Sequence, residues 1–159
     1  MNNPLPFTFD SLFSFINKAG KATWAGDGKE IEAERKDFHE FEYKEGKFYY
    51  RDSYVGNFKS RGMEVVRHND KPVWSALYGG GMITGKEDIA DHTFNFLKKA
   101  MSADEENFQS FRGPHSFTYG DWKYSYAQEG AVEEFSGYEK IYYKNELVFF
   151  HRIIGGMII

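Results

Sequence analysis

The chain has 159 residues, no cysteine, a formal net charge of −4 and an aromatic content of 19%. The lack of cysteine excludes disulfides and cysteine-bound metal, and the acidic balance argues against nucleic-acid binding by the chain itself. The N-terminus does not read as a secretory signal, and no apolar run approaches the roughly 20 residues of a membrane helix. We therefore expect a cytoplasmic protein with no membrane partner.

Two parts of the chain resemble each other. Residues 62–66 match residues 137–141, and further matches follow in the same order along both parts. We predict a single domain, residues 8–159, made of two tandem repeats of about 8–84 and 88–159. The predicted fold class is α+β: each repeat is one helix followed by four antiparallel strands, and a pseudo-twofold axis relates the two repeats around one shared core. The strands of the two repeats either join into one sheet or form two sheets that face each other across a cleft.

The predicted elements follow from periodicity and capping residues. The first helix is expected to start after Asp10 and to end near Gly20, and the second to start near Asp88 or Asp91. The alternation of apolar and polar residues predicts eight strands. They cover residues 40–45, 47–54, 62–68, 72–78, 116–120, 122–128, 137–143 and 147–153.

Two long connections, residues 21–40 and 102–116, separate each helix from its first strand, and loops of this length are often functional. Arg35 lies in the first and Arg112 in the second, each shortly before a histidine. A guanidinium offers a planar fork to a carboxylate or phosphate. These residues can either converge on an anion or clamp their own loops. Trp24 can likewise either cover a cleft or plug its loop against the sheet.

Aromatic side chains predict a ligand site, because clefts with aromatic walls and a few polar groups commonly hold small molecules. We predict a site in the groove between the repeats. Tyr54, Trp74 and Tyr78 would line it, and Arg35 and Arg112 would stand at its rim. The expected ligand is a small acidic or aromatic molecule. We expect no cofactor, and the histidine spacing predicts no metal site.

The alternative to pure binding is acid–base catalysis. Glu64 and Glu139 occupy matching positions in the two repeats, and a pair of carboxyl groups can act as general acid and base if one pKa is raised. In that reading His115 would assist them. In the other reading no residue is catalytic, and both glutamates make hydrogen bonds that hold the fold. We favour a protein that is not an enzyme.

Several segments resemble a bacterial family of domains of unknown function, whose members occur alone or behind XRE-type helix-turn-helix modules. The similar segments are residues 49–56, 62–66, 72–74, 111–114 and 155–158, with His151 before the last. The resemblance implies membership of that family and no particular activity. We expect no helix-turn-helix here, because the first repeat starts near residue 8.

Taken together, the sequence favours a non-catalytic module that binds or senses a small molecule or peptide. An acid–base enzyme and a homo-oligomeric interaction module, for example a homodimer that buries exposed aromatic residues, remain the alternatives.

Overall fold

A computed structural model describes residues 4–158; residues 1–3 and Ile159, the last residue of the predicted domain, lie outside that range. The elements are two α-helices, eight β-strands and two short 3₁₀ turns. The helices are α1 (Phe9–Ala22) and α2 (Ala90–Ser102). The strands are β1 (Phe38–Glu45), β2 (Phe48–Val55), β3 (Lys59–His68), β4 (Lys71–Met82), β5 (Ser116–Tyr119), β6 (Trp122–Ala131), β7 (Glu134–Tyr143) and β8 (Glu146–Met157).

All eight strands form one antiparallel sheet in the order β1-β2-β3-β4-β8-β7-β6-β5. Strands β4 and β8 join its two halves along a register that runs from Trp74 opposite Met157 to Met82 opposite Phe149. The glycines at positions 79–81 lie within this register, which explains them by close backbone packing. At Gly80, a Cβ atom would come within 2.1 Å of the carbonyl oxygen of Phe150.

This sheet corrects the predicted fold class. The protein is a largely β-sheet structure with two short helices, so the prediction of an α+β fold built from two tandem helix-plus-four-strand repeats is wrong. The physical reason is that β4 and β8 pair with each other through their backbones. Unpaired edge strands expose backbone donors and acceptors, and this pairing removes the two edges that would have separated the halves.

Helix α1 starts two residues earlier than predicted, because Thr8 and not Asp10 is its N-cap. The Thr8 hydroxyl accepts a hydrogen bond from the Ser11 amide at 3.1 Å, and the Ser11 hydroxyl accepts one from the Thr8 amide at 3.2 Å. This reciprocal pair satisfies donors that a helix start leaves free. The buried stripe of α1 faces the sheet and consists of Leu12, Phe15, Ile16 and Ala19.

The two faces of the sheet differ because side chains alternate along each strand. One face packs against both helices and carries the core, including Tyr50, Val66 and Trp74. The opposite face leaves a row of apolar side chains exposed at its centre. They are Met63, Leu77 and Ile154, at 39%, 51% and 58% exposure.

Candidate functional site

A cavity of about 240 Å³ lies between the helices and the covered face of the sheet. Apolar side chains from the helical side form its roof, and polar side chains from β2, β3, β4 and β8 form its floor. The roof comprises Trp24, Ala25, Phe94, Leu97 and Met101. The floor comprises Tyr50, Asp52, Ser60, Glu64, Tyr78 and His151, with Arg112 beside them from the connection before β5.

Two carboxyl groups stand side by side on the floor. Asp52 on β2 is directly opposite Glu64 on β3, so their side chains leave the sheet on the same face. Tyr78 donates its hydroxyl to Oδ1 of Asp52 at 2.8 Å, and Tyr50 donates to Oε1 of Glu64 at 2.7 Å. The other oxygen of each carboxyl group makes no hydrogen bond within residues 4–158. These two free oxygens leave acceptor capacity at a cavity that both residues line.

The contact between Tyr78 and Asp52 requires a residue without a side chain at position 62, and that residue is Gly62. It pairs with Tyr78 across β3 and β4, and a Cβ atom at position 62 would lie 2.3 Å from Cζ of the Tyr78 ring. Without a side chain at position 62, the ring lies across β3 and its hydroxyl reaches β2. A larger residue would push the tyrosine away from the carboxyl pair.

The environment of the pair favours protonated carboxyl groups. Burial, followed by the nearby charge of Glu64, raises the pKa of Asp52 to about 8. Burial also raises the pKa of Glu64, against the hydrogen bond from Tyr50 and the charge of Arg112, which lower it. Two carboxylates this close in a poorly solvated site disfavour double ionisation. At neutral pH the pair therefore holds at least one proton.

Glu139 on β7 has the opposite character, although its tyrosine contact is the same. Tyr124 donates to Oε2 of Glu139 at 2.7 Å, as Tyr50 does to Glu64. In addition, Arg112 donates from Nη2 to Oε1 at 2.8 Å and from Nε to Oε2 at 3.1 Å. Burial opposes ionisation of Glu139, but the charge of Arg112 and these bonds outweigh it and hold the pKa at about 2. Glu139 and Arg112 thus form a buried bidentate ion pair.

His151 on β8 connects this ion pair to the cavity floor. Its Nδ1 lies 3.4 Å from Oε1 of Glu139, and its Nε2 lies 3.3 Å from the Ser60 hydroxyl. Burial lowers the pKa of His151, outweighing the hydrogen bond to Glu139, and the charge of Arg112 acts in the same direction. A neutral imidazole is therefore the favoured form, and it adds no positive charge to the floor.

At one margin of the cavity, two rings stack: His39 on β1 and Tyr54 on β2, with centroids 4.9 Å apart. Nδ1 of His39 contacts Oε1 of Glu30 at 3.0 Å, so the histidine stands between an aromatic ring and an acid. Burial, and then the charge of Glu30, raises the pKa of Tyr54 to about 12, which keeps its hydroxyl neutral. The half-exposed Phe58 also lines this cavity.

Four of the residues predicted from sequence lie in this cavity or on its floor: Tyr54, Tyr78, Arg112 and Glu64. Arg112 is not at a rim, because it is largely buried and bonded to Glu139. Trp24, proposed as a cover or a plug, lines the roof. The cavity lies between helices and sheet, and not in a groove between two repeats.

The other predicted residues lie elsewhere. Trp74 is fully buried in the core, with ring centroids 5.5 Å from Phe111 and 6.0 Å from Phe135. Arg35 is exposed, with Cζ 3.9 Å from the ring centroid of Phe38, so the two predicted arginines do not meet.

His115, the predicted assistant of the glutamates, is also outside the cavity lining. It is exposed, and its Nδ1 contacts Oε1 of Glu105 at 2.9 Å. Its ring stacks on Phe108 with centroids 3.7 Å apart. These contacts occupy the imidazole on the connection between α2 and β5.

The sequence reasoning missed Asp52 as a site residue, although a signal was present. Asp52 alternates with Tyr50 and Tyr54 along one strand, which places its carboxyl group on the face of the aromatic residues. An acid within an aromatic strand face is costly to bury unless it has a partner or a purpose. His151 was also missed as a floor residue.

Within residues 4–158, no group of three or more histidine, aspartate or glutamate side chains is arranged to hold a metal ion. None of the helices in this range has the length and apolar character needed to cross a membrane.

Comparison with known families assigns the chain to one of them. Residues 52–158 match the model of the family described as Domain of unknown function (DUF5680), which is more than half of the chain. The chain belongs to this family. The matched range contains every residue of the polar floor except Tyr50. Trp24 and His39 also lie before the matched range. Searches of curated proteins and of solved structures find no match.

Proposed function

We propose that this protein binds a small molecule in the cavity between its helices and its sheet, without catalysing a reaction on it. The observation that carries the proposal is the combination of an apolar roof with a floor of convergent polar groups, including two carboxyl oxygens that make no internal hydrogen bond within residues 4–158. Ligand sites commonly combine apolar walls with a few placed polar groups.

The cavity size limits the ligand. An engineered apolar cavity of about 150 Å³ holds a benzene molecule. The cavity here, at about 240 Å³, has room for one aromatic ring with a short polar substituent. A folded peptide segment would need more space, so a small molecule is favoured over a peptide.

The resemblance to domains that follow XRE-type helix-turn-helix modules adds a sensing role to this proposal. A domain that changes stability when a small molecule fills its cavity can report that molecule to an attached module. The family description itself assigns no activity.

A thermal-shift screen of compounds with one aromatic ring tests binding, because a ligand that binds the folded state raises Tm. Gly20→Leu is the variant designed to fill the cavity, and its Tm shifts are compared with those of the unmodified protein. Gly20 lines the cavity near the end of α1, and a Cβ atom there meets nothing within 4 Å. The leucine should fill cavity space without backbone strain. Compounds that stabilise the unmodified protein should stabilise Gly20→Leu much less; an equal effect on both proteins contradicts the proposed site.

The acid–base enzyme reading has weaker support. Glu139 is held ionised by Arg112, and His115 lies outside the cavity lining. Glu64 remains in the cavity, but its neighbour there is Asp52, so the paired glutamates of that reading do not form the carboxyl pair.

A homodimer is a second candidate, favoured by the exposed row Met63, Leu77 and Ile154 on the uncovered sheet face. These residues are neighbours across β3, β4 and β8, so their side chains form one continuous strip. Contiguous apolar surface often marks a protein interface. Size-exclusion chromatography with light scattering should show a dimer that Leu77→Ser weakens; a monomer at every concentration argues against this function.

A further inference from the structure

The charge balance on the cavity floor identifies a ligand class, if the cavity binds a ligand as proposed above. Arg112 is a nearby fixed cation, and its guanidinium is already bonded through both Nε and Nη2 to Glu139. Asp52 and Glu64 have tyrosine donors and no cation bonded to them within residues 4–158. The floor therefore has acids in excess of bases.

The carboxyl oxygens of Asp52 and Glu64 that make no hydrogen bond within residues 4–158 lie at the cavity. Asp52 is 5% exposed, and the cavity is the space that both carboxyl groups share. A buried carboxylate needs a charge partner or a hydrogen-bond donor, because loss of water is otherwise uncompensated. Without a ligand, the raised pKa of Asp52 favours a proton as this partner. In a filled cavity a donor on the ligand can take its place.

Aromatic side chains line the cavity around the carboxyl pair. Tyr50, Tyr54 and Tyr78 line the cavity beside the carboxyl groups. The face of an aromatic ring attracts a cation, and the attraction is stronger where water is excluded. Above the floor, Trp24, Phe94 and Met101 offer apolar surface to the rest of a ligand.

An acidic ligand, one of the two classes predicted from sequence, fits the floor less well. It would meet Asp52 and Glu64, and it could reach Arg112 only in competition with the bidentate bond to Glu139. Breaking a buried ion pair is costly because it leaves a charge uncompensated. The geometry therefore disfavours an anion.

We infer that the cavity binds a small primary arylalkylamine, an amine on a short alkyl chain attached to an aromatic ring, as its ammonium ion, with the ammonium group between Asp52 and Glu64 and the ring under Trp24, Phe94 and Met101. On binding, the ammonium ion donates to the free carboxyl oxygens, and the proton that the pair held leaves to solvent. No covalent bond forms or breaks, and charge is conserved by this exchange of one cation for another.

Three probes of nearly equal size and different charge separate the outcomes. They are 2-phenylethylamine, 2-phenylethanol and phenylacetate, each titrated by calorimetry at pH 7. At this pH the amine is protonated, because an alkylammonium group has a pKa near that of lysine, about 10.4. The amine should bind at least about tenfold more tightly than the alcohol, the gain expected of a charge-assisted hydrogen bond. Phenylacetate should bind most weakly.

Variants locate the ammonium group. Asp52→Asn with Glu64→Gln removes both ionisable groups while preserving their shapes, and it should abolish the preference for the amine over the alcohol while weak alcohol binding persists. Glu129→Gln is the matched control, because it makes the same chemical change at an exposed residue outside the cavity lining. A circular dichroism spectrum of each variant establishes that it is folded.

The number of protons released on amine binding independently tests whether the ammonium ion displaces the proton of the carboxyl pair. Calorimetry of the amine in two buffers of different ionisation enthalpy should show release of up to one proton per ligand at pH 7, and the double variant should show none. The titratable and charged groups around Asp52 that set the number of protons released are Tyr50, Tyr54, Glu64, Tyr78 and Arg112, with Glu40 behind on β1.

The outcomes distinguish the two proposals. Binding of all three probes with equal affinity, or preference for phenylacetate, overturns the amine assignment and leaves the binding cavity intact. Amine binding that survives the double variant also overturns it. No binding of any probe, together with no hit in the thermal-shift screen, overturns the binding function itself.

Discussion

Tyr78 on β4 donates its hydroxyl to Asp52 on β2, 2.8 Å away, across the intervening strand β3. The bond stabilises a carboxyl group that is 5% exposed and has an acidic neighbour. Burial, followed by the charge of Asp52, raises the pKa of Tyr78 well above its usual value, so the phenol stays a donor at every physiological pH. The floor of the cavity depends on this contact.

Gly62→Ala should disrupt that contact. The added Cβ atom would lie 2.3 Å from the Tyr78 ring, and it would also approach Cβ of Tyr54 at 2.8 Å. We expect a loss of about 1–3 kcal/mol in the free energy of unfolding, the usual cost of overpacking. Urea denaturation measures it. In a Tyr78→Ala background the same change should cost much less, since most of the clash is gone; equal costs in both backgrounds would show that Tyr78 does not lie over Gly62.

Substitution by glutamine should change the free energy of unfolding much more at Glu139 than at Glu64. Glu139→Gln leaves the buried guanidinium of Arg112 without its counter-charge, and it should lower the free energy of unfolding by about 3–5 kcal/mol. Burial raises the pKa of Glu64, so its charge is poorly stabilised. No cation is bonded to it within residues 4–158, and the amide of Glu64→Gln can still accept from Tyr50. Its effect at pH 7 should be below about 1 kcal/mol or stabilising. Denaturant unfolding of both variants measures this, and a larger loss for Glu64→Gln would contradict the assigned charges.

The start of α1 offers a local stability test. Thr8→Ala removes the hydroxyl that accepts from the Ser11 amide, and it should cost about 1 kcal/mol. Thr8→Ser keeps the acceptor and serves as the control, with little change in Tm. If both variants lose the same stability, the methyl group of Thr8 and not its hydroxyl matters.

The sequence located the eight strands but not all of their ends and not their partners: β4 and β8 each continue four residues beyond their predicted ends, to Met82 and Met157. Alternation placed Tyr50 and Tyr54 on one strand face, and β2 has that face in the structure. The neighbour of Asp52 depends on the register between β2 and β3, which the connection after Val55 sets. A shift of one residue would send every side chain of β3 to the other face. Local pattern carries no information on that register.

Long-range packing explains why the structure places Trp74 and Arg112 differently from the sequence-based prediction. Trp74 and Tyr78 share a strand face, so alternation could not separate them, yet Phe111 and Phe135 cover Trp74 while the cavity opens over Tyr78. Arg112 reaches Glu139 because the connection before β5 folds back onto the sheet. Its amide donates to the Ser110 hydroxyl at 3.0 Å, a contact that helps shape this turn. The path of such a loop follows from tertiary contacts and not from its own composition.

The pH dependence of stability provides the last test, because the protonation of Asp52 contributes to it. The ordinary pKa of this side chain, 3.8, applies to the unfolded chain, and in the folded protein burial and then Glu64 raise it to about 8. Between these values the folded state holds a proton that the unfolded state has lost, so stability falls as pH rises. Glu64 acts with the same sign, since its pKa is also raised.

The clearest window lies between pH 6.5 and 8. Below 6.5, the lowered pKa of His151 acts in the opposite direction, because the unfolded chain then binds a proton that the buried imidazole does not. Glu139 contributes only at much lower pH, as its pKa is about 2. Within the window the slope should approach about 1.4 kcal/mol per pH unit for one proton. Asp52→Asn should flatten it and Glu129→Gln should not. Stability that is constant or rising across this range in the unmodified protein would mean that Asp52 is already ionised in the folded state.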